Sequence, residues 1–161
     1  MREFNDSLYT NLPKFTIGFH GCNQDLYEKV IAGREGIVPS SNKYDWLGNG
    51  IYFWENSYSR AYEWAIGKYK EKAAVIGAIL VLGNCLDLMD YKNSKVLKDA
   101  YKVLQHDYAV DETPLPVNTK GRKNSNDNLK RDLDCAVIEY VHLLRKLNGI
   151  IPYDSVRNAF I

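Results

Sequence analysis

The alternation of apolar and polar positions changes its period along the chain, and each change marks an element. Residues 15–22 (FTIGFHGC) form a short apolar and aromatic run that predicts a strand ending at His20-Gly21. Asn23 then suits the cap of a helix over 24–32, with Leu26, Val30 and Ile31 on one face and Gly33 as its stop. A loop rich in Gly, Pro, Ser and Asn follows over 34–49, carrying Tyr44 and Trp46. The five residues GIYFW at 50–54 predict a second strand. A helix capped by Asn56 or Ser57 then runs to about Lys70, with Ala61, Trp64, Ala65 and Ile66 sharing a face.

The longest apolar run, AAVIGAILVL at 73–82, predicts a buried strand, broken by Gly83-Asn84 and extended through 85–88. Helical spacing of Val96, Leu97, Ala100, Val103 and Leu104 predicts a helix over 93–108. Residues 111–127 are polar and turn-forming, which predicts a long surface loop. The strongest helical stripe is Leu129, Leu133, Ala136, Val137, Tyr140, Leu143, Leu144 and Leu147. It predicts a helix over 128–147, capped by Asp127 and ended by Asn148-Gly149. The final SVRNAFI predicts a strand. Connections of very unequal length favour an α+β domain over a regular parallel α/β sheet.

Composition narrows the class without naming a function. A chain of 161 residues fits one domain of 1–161. Lys+Arg 21 against Asp+Glu 20 leaves +1, so no global field advertises a polyanionic or polycationic partner. No apolar run approaches the ~18 residues of a membrane span, and the first residues lack a signal-peptide core. The three cysteines, Cys22, Cys85 and Cys135, have no ligand-spaced neighbours; reduced thiols in a cytoplasmic protein without a metal are expected.

Two segments carry candidate chemistry. In the first, His20 stands at a strand end beside Gly21, whose bare backbone can pair with a flat amide. In the second, Gly48-Asn49-Gly50 turns into the aromatic run Ile51-Tyr52-Phe53-Trp54, placing Tyr52 where its ring can stand over a cleft. Ser41 and Asp45 precede that turn and either line a ligand or cap the loop. Lys120, Arg122, Lys123, Lys130 and Arg131 make a local basic cluster, which is either a solvated face or a contact for the phosphate of a nucleotide or nucleic acid. His106 and His142 lie on predicted helices and read as structural.

In their order and spacing, His20-Gly21, Gly48-Asn49-Gly50-Ile51-Tyr52-Phe53 and the stretch 59–64 resemble the ADP-ribosyltransferase superfamily, in its poly(ADP-ribose)-polymerase and diphtheria-toxin branch. The likeness covers roughly residues 15–66, and the remainder looks like a little-characterised bacterial subgroup. It implies a split β-sheet core with flanking helices, and NAD as the substrate. Gly21 would hold the nicotinamide carboxamide and His20 a hydroxyl of the adenosine ribose. Tyr52 and a second aromatic would stack on the nicotinamide ring, with Ser41, Asp45 and Gly50 beside it. His20 and Tyr52 are the residues it assigns to catalysis.

The resemblance also implies an acceptor, protein or nucleic acid, and a role as an intracellular toxin with an antitoxin partner or in phage defence. Two departures stand against the pattern. Glu63 occupies the position expected for the second stacking tyrosine, and Trp64 is preferred as its replacement over Tyr62. The family's late-strand glutamate has no counterpart: Asp132, Asp134, Glu139 and Asp154 fall on or near a helix, and Glu139 is expected on a solvated face. The chain is therefore expected to end before that strand. Two further outcomes stay open, a binding module without chemistry and an NAD glycohydrolase.

Overall fold

The computed structural model describes residues 15–121 and 128–159. The fold mixes helices with small sheets, and the chain divides into two compact units. Among the described residues, one comprises 15–37 with 53–83; the other comprises 38–52 with 84–121 and 128–159.

The first unit is a three-stranded antiparallel sheet. The strand β1 (Phe15–Asn23) lies between β2 (Trp54–Glu55) and β3 (Ala73–Val81). The β1–β3 ladder runs the full nine residues, from Phe15 opposite Val81 to Asn23 opposite Ala73. Because side chains alternate across a strand, Gly18, His20 and Cys22 share one face while Phe19 and Gly21 share the other. The helix α1 (Gln24–Ile31) packs Leu26, Tyr27 and Val30 on the first face, against Cys22, Ala74 and Ile76. It begins as the sequence predicts: the Asn23 side chain accepts a hydrogen bond from the Leu26 amide at 2.7 Å, and Gly33 stops it at φ +66°.

On the opposite face lies α2 (Tyr58–Tyr69), whose Ala61 and Ala65 are wholly buried. Small residues there let the helix approach closely: a β-carbon added to Gly21 would lie 2.5 Å from the Ala61 carbonyl oxygen. The expected apolar face of this helix therefore shrinks to its alanines, while Trp64 and Ile66 stay exposed. The strand predicted to be buried over 73–82 is buried only at Ala74 and Ile76, where α1 packs. Beyond the helices Ile79 and Val81 are exposed, as are Phe15 and Ile17 opposite them.

The second unit joins α3 (Tyr91–Val110) and α4 (Asp132–Leu147) to a two-stranded parallel pair, β4 (Cys85–Asp87) and β5 (Ser155–Arg157). Its core is Leu86, Ala100, Leu104, Val137 and Val141. Cys85–Asp87 thus forms a separate strand instead of extending β3. Arg157 is tied to Asp87 at 3.1 Å, fixing one end of the pair.

Several predicted boundaries move, each for a local reason. Asp90 caps α3 by accepting from the Lys92 amide at 3.0 Å, so the helix starts at Tyr91. α4 starts at Asp132 and not at 128, because Lys130 is held in an antiparallel bridge with Thr119. Asn118 supplies the acceptor for the first turn instead: its Oδ1 takes the amides of Leu133 and Asp134 at 3.0 and 3.3 Å. Leu129 consequently leaves the helical stripe, and the predicted cap Asp127 lies outside the described residues. Leu147 is 71% exposed, so the stripe also ends earlier than expected. Among the described residues, no helix is long and apolar enough to cross a membrane.

Candidate functional site

Residues 38–52 form a loop laid along one stripe of α4. The Cys135 thiol donates to the Asn42 carbonyl at 3.5 Å, and the Arg131 amide donates to the Tyr44 carbonyl at 3.3 Å. Gly48 meets Ile138 and Glu139 further along. Positions 131, 135, 138 and 139 recur at helical spacing and face the loop, while Val137, Tyr140, Val141 and Leu144 belong to the cluster built on α3. One helix thus serves both the core and the loop.

The Gly48-Asn49-Gly50 turn is closed from both sides. The Tyr52 hydroxyl donates to the Gly48 carbonyl at 2.6 Å and accepts the Leu47 amide at 2.9 Å. Glu139 Oε1 accepts the Asn49 amide at 2.6 Å. Gly48 sits at φ +79°, where an added β-carbon would lie 2.5 Å from that same carboxylate oxygen. Only glycine combines that backbone conformation with that approach. Gly50 is bridged to Ser40 by two backbone hydrogen bonds of 2.8 and 3.0 Å, and a β-carbon there would meet nothing within 4 Å.

Burial pushes the Tyr52 phenol well above its ordinary value; the Leu47 amide opposes this, and the charges of Asp45, Cys135 and Glu139 add to it. The hydroxyl therefore keeps its proton at neutral pH and serves as a donor. Burial likewise raises the Cys135 thiol, reinforced by Glu139 and Asp45.

The clamp on this turn corrects two expectations. Glu139 is half-buried and bonded to the turn rather than standing on a solvated face. Residues 51–53 carry no strand, because the hydroxyl of Tyr52 is drawn back to Gly48 and Gly50 is engaged by Ser40; pairing with β1 is confined to Trp54 and Glu55. Asp45 acts as a loop cap, its Oδ2 accepting from the Ser40 hydroxyl at 2.6 Å and the Asn42 amide at 2.9 Å. Ser41 is exposed beside it. Sequence reasoning passed over Ser40; its place two residues before an asparagine and five before an aspartate is the signal of a capped turn.

His20, Gly21 and Trp64 belong to the first unit. The half-buried His20 ring lies 5.7 Å from that of Phe53. The direction of the Gly21 amide follows from the ladder. In antiparallel pairing a residue sends its N–H and C=O the same way, and its neighbour sends them the other way. The Ile17 carbonyl accepts the Asn56 amide at 2.8 Å, so Ile17 faces the β2 side. Phe19 and Gly21 then face that side too, while His20 and Cys22 face β3.

Among the described residues, β2 pairs β1 only at Gly18 and Phe19. The backbone groups of the buried Gly21 are directed past the point where β2 ends. Trp64 adjoins Gly21, its Cε3 3.0 Å from where a β-carbon would stand, and Lys68 Nζ lies 4.9 Å from the centre of the Trp64 ring. The structure thus brings Trp64 to Gly21, and Gly50, Asp45 and Tyr52 to one turn.

Of the basic cluster, Arg131 lies 4.6 Å from the centre of the Trp46 ring and Lys130 5.8 Å from that of Tyr44. Arg122 and Lys123 lie outside the described residues. His106 is on α3, and His142 on α4 meets Tyr153 edge-on at 6.1 Å. Among the described residues, no three His, Cys, Asp or Glu side chains converge as a metal site.

No family model matches the chain, and no solved structure matches it. A curated relative, an uncharacterised protein of Methanocaldococcus jannaschii, is 28% identical over 145 residues, covering 88% of this chain. The aligned part is 63% of that relative, so the chain spans less than two thirds of its length.

Proposed function

We propose that this protein binds NAD through the end of β1 and transfers ADP-ribose from it to a macromolecular acceptor. The observation that carries this reading is the Gly21 amide, directed to the β1 edge past the end of β2. A strand residue with both N–H and C=O turned to such an edge matches the donor and acceptor of a carboxamide. His20 adjoins it and would take a ribose hydroxyl. Trp64 is the aromatic that adjoins Gly21, its Cε3 3.0 Å from where a β-carbon would stand.

Tyr52, Ser41, Asp45 and Gly50 enter the reading on the resemblance. The stacking ring would be that of Tyr52, whose hydroxyl is already committed to the turn. Offset stacking of one ring pair contributes about 0.5–1.5 kcal/mol beyond area burial. In the reaction the bond between nicotinamide and ribose breaks, nicotinamide leaves with the bonding pair, and the acceptor's nucleophile forms the new bond to the ribose carbon as it loses its proton. A role as an intracellular toxin with an antitoxin partner belongs to the same reading.

A second reading, NAD binding without transfer, is favoured by one observation. β5, the last described strand, is Ser155-Val156-Arg157 and carries no acidic residue. The test is incubation with NAD labelled in the adenylate moiety, with cell lysate, beside the Tyr52→Ala and Tyr52→Phe variants. Label on protein or RNA with the intact chain, less with Tyr52→Phe, which keeps the ring but loses the hydroxyl clamp, and none with Tyr52→Ala, is the expected result. Nicotinamide release without label would make it a glycohydrolase, and calorimetric binding alone would favour the second reading. Absence of binding, release and label together would sink both.

A further inference from the structure

Outside the glycine turn, the most unusual grouping in the second unit is a double layer of aromatic and cationic side chains. Tyr44 and Trp46 are two residues apart on the loop, and Lys130 and Arg131 are neighbours just before α4. Each aromatic receives one cation: Lys130 Nζ lies 5.8 Å from the Tyr44 ring centre and the Arg131 guanidinium 4.6 Å from the Trp46 ring centre. The ledge is held from several sides. The Trp46 indole donates to the Leu129 carbonyl at 3.1 Å, and the Arg131 amide donates to the Tyr44 carbonyl at 3.3 Å. The Thr119–Lys130 bridge, with backbone bonds of 2.8 and 3.0 Å, brings Lys120 alongside.

Asp45, Asp132 and Asp134 adjoin these residues in the chain, and Asp134 is paired with Arg131. Asp45 accepts from Ser40 and Asn42, and Asp134 accepts from Asn118 at 2.8 Å and from Arg131 at 3.3 Å. Lys120 and Lys130 are exposed, and Tyr44 is 44% exposed. Arg131 carries a second signal. Its Nε is buried with no hydrogen-bond partner, so stacking and one ion pair hold the guanidinium in place.

We infer that the ledge of Tyr44, Trp46, Lys120, Lys130 and Arg131 binds single-stranded nucleic acid. The exposed Tyr44 ring, beside the half-buried Trp46, offers a stacking surface to an unpaired base, and lysines beside it neutralise the phosphates that connect successive bases. Protein interfaces also use aromatic rings, so the choice rests on the pairing of one ring with each cation, which matches the alternation of base and phosphate along a single strand. The chain's net charge of +1 does not oppose this, because the cations are concentrated at one place. The inference is independent of NAD, which is omitted from its test.

The test is fluorescence anisotropy of a fluorescein-labelled oligouridylate with the full chain, over a series of salt concentrations. Binding should weaken linearly in log–log form as salt rises, and Lys120→Gln with Lys130→Gln should lower the slope by about 0.7 per lysine. Tyr44→Ala should weaken binding about tenfold, the loss of one stacked base. Circular dichroism should show all three substitutions, at exposed positions, leaving the fold intact. No binding at low salt at the highest soluble concentration would overturn the inference. So would competition by polyglutamate as effective as that by unlabelled oligonucleotide, together with no effect of Tyr44→Ala. That pair of results would identify an interface for acidic protein instead.

Discussion

Replacing Gly48 with alanine tests whether the Tyr52–Glu139 clamp is what shapes the loop. Two costs are expected. A side chain at φ +79° is disfavoured by about 1–2 kcal/mol. The added carbon would also stand 2.5 Å from Glu139 Oε1 and 3.0 Å from Ile138 Cγ2, so the carboxylate must move and release the Asn49 amide. A hydrogen bond to a charged group contributes about 1.5–3 kcal/mol, and the partial exposure of this one favours the lower figure. The sum is about 2.5–3.5 kcal/mol.

Gly50→Ala, two residues on, has open space and an ordinary backbone, and should fall within about 0.5 kcal/mol of the parent. Urea unfolding followed by circular dichroism reads both. Glu139→Ala supplies the third corner: since the Asn49 bond can be lost only once, the double variant with Gly48→Ala should fall short of the sum of the singles by about 1.5 kcal/mol. Strict additivity, or a Gly50→Ala as costly as Gly48→Ala, would refute the reasoning.

Other expectations follow from the same geometry. Gly21→Ala should cost about 1–3 kcal/mol by forcing α2 off the sheet, because the obstructing atom is the Ala61 backbone carbonyl. Gly77→Ala, whose nearest neighbour is the Phe19 ring at 3.4 Å, should be nearly neutral by the same unfolding measurement. Leu86→Ala, at a wholly buried position, should lower stability by about 2–5 kcal/mol.

Burial raises the Cys22 and Cys135 thiols above their ordinary value in the folded state. Their contribution is therefore complete below the unfolded thiol value of about 8.5 and is lost as pH rises from there through the higher folded value. Denaturation midpoints should fall over that alkaline window and fall less in Cys22→Ser and Cys135→Ser. A midpoint independent of pH there would contradict the assignment. Thiol titration should find Cys85, which is only half-buried, reacting before the other two.

Much of the secondary structure was legible because it rests on near neighbours. Asn23 before an amphipathic run and Gly33 and Gly149 after one are local signals that the sequence carries in full. The apolar block at 73–82 signals its strand in the same way but not its burial, since Ile79 and Val81 lie exposed. The start of α4 was not legible, since its acceptor comes from Asn118 across a stretch of loop and its limit from the Thr119–Lys130 bridge. Nor was the fate of GIYFW, which has strand composition but is diverted by the Tyr52 hydroxyl.

For the candidate site the division is similar. His20-Gly21 and Gly48-Asn49-Gly50 were visible as residue types in sequence; their roles depend on partners far along the chain. Ninety positions separate Asn49 from Glu139, and no periodicity links them. Gly48 must be glycine because of that carboxylate, whereas Gly50, identical in the sequence, has open space. A sequence by itself determines which conformations its neighbours permit. Only the tertiary structure decides which buried donors meet which acceptors, because a half-buried polar group must find its partner wherever the packed chain supplies one.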